Sequence, residues 1–134
     1  MSVVETVRAR MRELKISPKR SLGQNFLVDS MTIDQVVQAG LELNPQTIVE
    51  IGPGLGALTD FLEQRFLGHL VLIEKDRALA QYWEQRGFRV QSEDALRVNW
   101  SSLLLDHDRV LMLSNLPYQI SSRLIVDLTV KNVR

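Results

Sequence analysis

The segment that decides the fold runs from residue 47 to residue 66 and reads TIVEIGPGLGALTDFLEQRF. It opens with a short β-branched run, continues through Gly52, Gly54 and Gly56, and takes up a helical pattern from Ala57. A strand that passes through a glycine-rich turn directly into a helix is typical of the first unit of a nucleotide-binding α/β sheet.

The same alternation of strands and helices continues toward the C-terminus. Residues 69–74, 88–94 and 109–114 are predicted to be strands, and residues 76–86 and 121–130 are predicted to be helices. The strands lack in–out alternation, which indicates a parallel sheet covered on both faces. With right-handed crossovers the fold class is α/β, a doubly wound, Rossmann-like sheet.

Two helices precede this sheet. Residues 2–14 begin with Ser2 and Glu5 at the spacing of a capping box. Five apolar residues of this helix share one stripe: Val3, Val4, Val7, Met11 and Leu14. The second helix is predicted to begin at Asp29 or Ser30.

Composition narrows the class of protein. The chain has 134 residues, 45% of them hydrophobic, which suits one core and a single domain. No apolar stretch is as long as a membrane span and no secretory signal is recognisable, so we expect a cytoplasmic protein with no membrane partner. The lack of cysteine excludes disulfides and thiolate metal sites. His69 and His107 stand apart in the sequence, so no metal site is predicted.

Basic residues are concentrated at the N-terminus, although the formal net charge is zero. We expect residues 1–23 to form a helix and basic arm, and residues 24–134 to form the sheet domain. The arm sets six basic residues against Glu5 and Glu13: Arg8, Arg10, Arg12, Lys15, Lys19 and Arg20. Charge alone leaves two interpretations, a solvated helix face or a contact with nucleic-acid phosphates.

The glycine turn is a candidate ligand site. Glycine lets the backbone turn sharply and approach a ligand that a Cβ would push away, but glycine turns also serve plain strand–helix packing. About twenty residues further on, Glu74 ends the second predicted strand, where its carboxylate can accept both hydroxyls of a ribose. A carboxylate there could instead cap the next helix, although Asp76 is better placed to do so.

The spacing of the glycines favours one cofactor over another. A dinucleotide-binding loop reads G-x-G-x-x-G, whereas here the third glycine comes one residue early and Glu50 precedes the first by two. This pattern resembles the first motif of S-adenosylmethionine-dependent methyltransferases, so we expect S-adenosylmethionine, with a nicotinamide cofactor second. Asp94 ends the third predicted strand, where it can reach an adenine amino group, with Ala95 beside it.

Asn115-Leu116-Pro117-Tyr118 follows the fourth predicted strand and suits a methyl acceptor. The side-chain carbonyl of Asn115 and the backbone carbonyl of Leu116 can accept from the two N–H groups of an adenine amino nitrogen. A residue before proline is held extended, so Pro117 fixes this geometry. Tyr118 offers a ring on which a flipped-out base can stack. The alternative is structural: Asn115 caps a turn and Tyr118 fills the core edge.

Five motifs occur together in one order: PKRSLGQNFLVD, VEIGPGLGALT, VLIEKD, SEDAL and SNLPYQISS. They closely resemble the KsgA-type ribosomal RNA adenine dimethyltransferases, with the erythromycin-resistance rRNA methylases as close relatives. The resemblance runs from about Pro18 to Ser122 and implies a Rossmann-like class I S-adenosylmethionine-dependent methyltransferase sheet.

The resemblance also implies how the cofactor is held. Asn25 and Leu27 would close over it, and Gly52 would contact its methionine part. Glu74 would bind its ribose and Asp94 its adenine.

The function implied by the resemblance is dimethylation of two adjacent adenines near the 3′ end of small-subunit ribosomal RNA, in ribosome biogenesis. Asn115 would sit between cofactor and target base. The partner would be that RNA or a pre-ribosomal particle. The resemblance favours the arm as the RNA contact, through five residues: Arg8, Arg12, Lys15, Lys19 and Arg20.

The family pattern continues with three further strands and a helical C-terminal domain, and we expect this chain to be an N-terminal fragment that binds cofactor without being active alone. The strand of residues 109–114 would then be an open edge, so we expect the chain to self-associate through it or to be only marginally stable as a monomer. Two other functions remain open, a non-catalytic RNA-binding or assembly factor and a dinucleotide-dependent oxidoreductase.

Overall fold

A computed structural model describes residues 2–15, 30–116 and 123–130. Eleven elements follow one another in this part of the chain: α1 (Val3–Leu14), α2 (Ser30–Glu42), β1 (Thr47–Ile51), α3 (Ala57–Arg65), β2 (His69–Ile73), α4 (Arg77–Gln85), β3 (Arg89–Gln91), a 3-10 turn (Ala95–Arg97), α5 (Trp100–Leu103), β4 (Arg109–Leu116) and β5 (Arg123–Val130).

The strands form one sheet in the order β3-β2-β1-β4-β5. Strand β1 pairs in parallel with β2 on one side and with β4 on the other, and β2 pairs in parallel with β3. The predicted parallel sheet is therefore confirmed for the first four strands. Because β1 lies at the centre, the glycine turn that follows it emerges in the middle of the carboxyl edge, where α/β sheets bind ligands.

Both faces of the sheet are covered, as predicted, and β1 alternates between them. Ile48 packs with α1, α2 and α3 in one cluster, whose members include Val7, Ile33, Val37 and Leu58. Val49 packs on the opposite face with residues around α5, among them Val98 and Leu104. Fully buried β1 residues on both faces explain why this strand shows no apolar–polar alternation.

The predicted capping box of α1 is confirmed. The Glu5 amide donates to Ser2 Oγ at 3.1 Å, and the Ser2 amide donates to Glu5 Oε1 at 2.9 Å. These reciprocal bonds satisfy two amides that the first turn of a helix would otherwise leave unpaired.

The predicted helix over residues 121–130 is wrong. Arg123–Val130 is a strand, antiparallel to β4, with pairs running from Arg109–Val130 to Leu116–Arg123. The segment RLIVDLTV contains β-branched residues, and pairing with a neighbouring strand outweighs its weak helical pattern. Strand β4 therefore lies between β1 and β5 and is not an open edge of the sheet. The predicted self-association required an open edge at β4, so this structure gives it no basis.

Candidate cofactor site

The turn after β1 is built on three glycines with left-handed backbone. The φ angles are 70° at Gly52, 55° at Gly54 and 86° at Gly56. Residues other than glycine rarely adopt these positive φ angles, because a Cβ would crowd the backbone there. The Gly52 amide donates to the carbonyl of Ile73 at 2.8 Å, which fixes the start of the turn to the end of β2.

Two of these glycines have different surroundings. A Cβ on Gly52 would have no atom of the described residues within 4 Å, so this side of the turn is open in that part of the structure. A Cβ on Gly56 would lie 2.3 Å from the Trp83 ring and 2.6 Å from Arg10 Nη1. The packing interpretation therefore holds at Gly56, and the ligand interpretation stays a prediction for the open side of Gly52.

Glu74 follows β2 and is joined to the glycine turn. Its carboxylate is 6% exposed, with Oε1 accepting from the Gly54 amide at 3.2 Å and Oε2 accepting from the Asp76 amide at 2.9 Å. Burial raises the pKa of Glu74, and the two amide donors oppose that rise. Asp76 caps α4 by accepting from the Leu79 amide at 3.0 Å, as expected, so Glu74 is not the helix cap.

Glu50 lies inside the sheet, two residues before the first glycine. Thr59 Oγ1 donates to its Oε1 at 2.7 Å, while its Oε2 is buried without a partner among the described residues. Burial raises the pKa of Glu50 to about 8, and the negative charges of Asp60 and Glu74 add to the rise, whereas the Thr59 bond opposes it. The sequence presented Glu50 only as part of a spacing pattern; this perturbed ionisation was not predicted.

Asp94 and Ala95 lie one strand further along the same edge. The Glu74 amide donates to the Gln91 carbonyl at 3.0 Å, and the Glu93 amide donates to the Glu74 carbonyl at 3.1 Å. These two backbone bonds hold the segment that carries Asp94 beside Glu74. Asp94 Oδ1 accepts from the Leu96 amide at 2.9 Å and caps the short 3-10 turn.

The acceptor motif starts at the carboxyl end of β4. Ile51 pairs with Ser114, so Asn115, near the end of β4, lies at the same edge at which Gly52 follows β1. Strand β4 continues through Leu116, whose backbone is extended as predicted. The side chains of Asn115 and Leu116, and all of Pro117 and Tyr118, lie outside what the structure describes. The same holds for four further predicted site residues: Lys19, Arg20, Asn25 and Leu27.

The basic arm divides into exposed and buried parts. Arg8 and Arg12 are exposed and four residues apart, which places them on one face of α1, and Lys15 is exposed directly after the helix, with left-handed backbone. Arg10 is instead buried and paired with Asp60, so it does not belong to a solvent-facing charge patch. It lies on the apolar stripe, seven residues after Val3 and three after Val7, which was the sequence signal for its burial.

The two histidines come together at the amino end of the sheet, away from the glycine turn. Their ring centroids are 5.7 Å apart, and His107 Nδ1 lies 2.6 Å from Thr47 Oγ1. Treating the two histidines as isolated from one another was therefore wrong.

The described residues contain no group of three or more potential metal-ligating side chains. No helix in that part of the chain is long and apolar enough to cross a membrane.

Gly52, Glu74 and Asp94 stand at the carboxyl ends of three adjacent parallel strands. A glycine turn followed by two acidic residues at this edge is typical of a Rossmann-like α/β domain. The match to known families is more specific. The chain belongs to the ribosomal RNA adenine dimethylase family, whose family model matches residues 16–133, and the resemblance inferred from the motifs is confirmed.

Individual relatives carry names consistent with that family. A ribosomal RNA small subunit methyltransferase A of Bdellovibrio bacteriovorus is 41% identical over 128 residues, covering 96% of this chain and 46% of that protein. The protein of the same name from Mycoplasmoides gallisepticum is 40% identical over 114 residues, covering 83% and 42%. The chain therefore spans just under half the length of these relatives. Among solved structures, the 23S rRNA methyltransferase ErmE matches with a TM-score of 0.48 and 23% identity, over 68% of this chain and 48% of that one.

The raised pKa of Glu50 predicts how stability depends on pH. Between about pH 4.5 and about pH 8 the unfolded chain has lost the proton that folded Glu50 retains, so the free energy of unfolding falls as pH rises. The slope from this group is at most about 1.4 kcal/mol per pH unit. Glu50→Gln cannot ionise, and we expect its stability relative to wild type to increase steadily across this window in urea unfolding curves.

The control for this experiment is Glu63→Gln, which changes an exposed glutamate of the neighbouring helix α3. Comparing each variant with wild type at every pH cancels the contributions of all other titrating groups. Wild-type and Glu50→Gln stabilities that stay parallel from pH 5 to pH 8.5, within the error of the extrapolation, would contradict the raised pKa.

Proposed function

We propose that this chain is the cofactor-binding part of an S-adenosylmethionine-dependent methyltransferase that dimethylates adjacent adenines near the 3′ end of small-subunit ribosomal RNA, in ribosome biogenesis. The observation that carries the proposal is the open side of Gly52 beside the buried Glu74 carboxylate, at the centre of the carboxyl edge. Family membership and the names of the relatives support the choice of reaction.

The residues at this edge fit S-adenosylmethionine, which when bound supplies the methyl group from its sulfonium centre. Gly52 offers space in which a Cβ would project. Each oxygen of Glu74 accepts one backbone N–H, which leaves a further lone pair on each oxygen for a ribose hydroxyl. Asp94 is the acceptor for the adenine amino group, and Ala95 is small enough to leave room beside it.

The acceptor side of the reaction is assigned to the motif after β4. In this proposal the Asn115 side-chain carbonyl and the Leu116 backbone carbonyl accept from the amino group of the target adenine, which orients its lone pair. Pro117 fixes the backbone and Tyr118 stacks on the base. The contribution of these residues is positioning rather than proton transfer, so no histidine is required at this edge.

The RNA contact is assigned to the exposed face of α1 and the segment that follows it. Arg8 and Arg12 are exposed on one face, Lys15 is exposed directly after the helix, and Lys19 and Arg20 extend the charge along the sequence. Phosphates attract such a face without regard to base sequence. We assign the protein to the cytoplasm, with small-subunit RNA or a pre-ribosomal particle as its partner.

Glu74→Ala should weaken S-adenosylmethionine binding by about 1.5–3 kcal/mol, the scale of charge-assisted hydrogen bonds. Isothermal titration of the folded variant against wild type measures this, with NAD titrated in parallel. Glu84→Ala is the matched control, because it removes an exposed glutamate of α4. Equal affinity of Glu74→Ala and wild type would refute the ribose assignment, and tighter binding of NAD than of S-adenosylmethionine would favour an oxidoreductase.

Asn115→Ala should lower the methylation rate at least ~100-fold while S-adenosylmethionine affinity stays within a few fold, because a positioned hydrogen-bonding group is lost. The assay is mass spectrometry of small-subunit RNA after incubation with labelled cofactor. It is run on the protein at the length of its relatives, since this chain spans 46% and 42% of the two compared. A retained rate would make Asn115 a turn cap, and no methylation by wild type would favour the non-catalytic assembly factor.

Reversing charge at Arg8 and Arg12 should weaken RNA binding and reduce the slope of log K against log salt by about 0.7–0.9 for each phosphate that the variant no longer neutralises. Cofactor affinity should stay unchanged. Arg89→Glu, on the edge strand β3, is the control for a change in overall charge. An Arg8→Glu/Arg12→Glu variant with the wild-type slope would return α1 to the interpretation as a solvated face.

A further inference from the structure

Arg10 is a buried arginine whose hydrogen bonds reach three separate parts of the fold. Its Nη1 and Nη2 donate to Asp60 on α3 at 2.7 and 2.8 Å, and its Nε donates to Tyr82 Oη on α4 at 3.2 Å. Its Nη1 also donates to the carbonyl of Leu55 at 2.8 Å, inside the glycine turn. The side chain therefore does more than pair a charge: it bonds directly to the backbone of the candidate cofactor site.

A second side chain from the same cluster holds the preceding carbonyl of the turn. Trp83 Nε1 donates to the carbonyl of Gly54 at 3.0 Å, and the guanidinium of Arg10 lies 5.0 Å from the centre of the Trp83 ring. The two consecutive carbonyls of Gly54 and Leu55 are thus bonded by two side chains that stack on each other. Gly56 lies against both, since any Cβ there would meet Trp83 and Arg10.

The opposite side of the same turn is the side assigned to the ligand. The Gly54 amide is bonded to Glu74, and Gly52 faces open space. On one side of the turn, Arg10 and Trp83 donate to its backbone carbonyls. On the other side, Glu74 accepts from its Gly54 amide. Losing either set of bonds frees glycines, which have the widest conformational choice of any residue.

We propose that Arg10 is a positioning residue of the cofactor site: by bonding the Leu55 carbonyl and stacking on Trp83, it keeps the glycine turn in the shape that binds cofactor. This inference rests on the proposed function, in which that cofactor is S-adenosylmethionine. The helix α1 then carries out two tasks, with exposed basic residues on one face and Arg10 on the other.

An ion pair that only joins two helices would not need hydrogen bonds to the glycine turn. The pair of Arg65 with Asp34 joins α3 to α2 at the surface through one bond, and no bond from Arg65 to the glycine turn occurs among the described residues. Lysine at position 10 would keep the charge beside Asp60. It could not reproduce the planar fork that reaches Asp60, Leu55 and Tyr82 together.

The test compares Arg10→Lys with Asp60→Asn and with Arg65→Lys as matched control. S-adenosylmethionine affinity is measured by calorimetry, and stability by urea unfolding. Added sucrose keeps each variant folded during the titration.

We expect Arg10→Lys to lose about tenfold in affinity for S-adenosylmethionine, the scale of one hydrogen bond to a charged group. Asp60→Asn should lose stability but keep its affinity within about threefold, because Arg10 can still bond the Leu55 carbonyl. Arg65→Lys should change neither quantity.

A spectroscopic readout tests the loop without cofactor. The chain has two tryptophans, and in a ¹⁵N-correlated NMR spectrum each gives one indole N–H signal. The Trp83 signal reports the bond to the Gly54 carbonyl, whereas Trp100 lies on α5 across the sheet and is an internal reference. Arg10→Lys should shift the Trp83 signal and leave the Trp100 signal in place.

The outcomes separate this inference from the proposed function. If wild type binds S-adenosylmethionine and Arg10→Lys binds it within about twofold, or if affinity falls in Asp60→Asn as far as in Arg10→Lys, Arg10 has only a structural role and the inference fails. If wild type does not bind S-adenosylmethionine, the proposed function fails. The Trp83 signal then decides whether Arg10 holds the glycine turn. A shift confined to Trp83 supports the hold of Arg10 on the turn, and an unmoved signal overturns it.

Discussion

The hydrogen bond between the Gly54 amide and Glu74 Oε1 is the contact on which the candidate site depends. It joins the turn after β1 to the end of β2, and the backbone bonds of Glu74 to Gln91 and Glu93 extend the connection to β3. Three separate chain segments thereby form one continuous edge. The central position of β1 makes this possible, because a parallel sheet brings the carboxyl ends of neighbouring strands together.

Glu50, Asp60 and Glu74 lie close to the glycine turn, and each carboxyl group is accommodated in a different way. Glu50 has a pKa raised to about 8, so it is mostly protonated at neutral pH and avoids a buried charge. Asp60 is paired with Arg10. Glu74 accepts two backbone N–H groups, although burial raises its pKa. Among the described residues, each oxygen of Glu74 accepts only one backbone N–H, so both oxygens keep the capacity to accept from a further donor.

The sequence was a good guide wherever the information was local. Strand β1 has the limits expected from its β-branched run, because the glycine turn ends it abruptly. Glu74 and the segment that carries Asp94 lie at the expected edge of the sheet, because their spacing from the glycines is fixed by the length of a strand–helix–strand unit. Arg10 was misread as part of the exposed arm, since its partners lie 45, 50 and 72 residues away. Residues 123–130 were misread for a related reason: pairing with β4, rather than local pattern, makes them a strand.

The long reach of Arg10 also constrains the order in which the protein can assemble. The capping box of α1 closes over three residues, so that helix can begin to form as soon as it is made. Its burial is a different matter, because a guanidinium removed from water before its acceptors are in place would be an uncompensated charge. Those acceptors are complete only when Tyr82 has been synthesised and α3 and α4 have packed on the sheet. The docking of α1 through Arg10 therefore has to wait until α3 and α4 are in place.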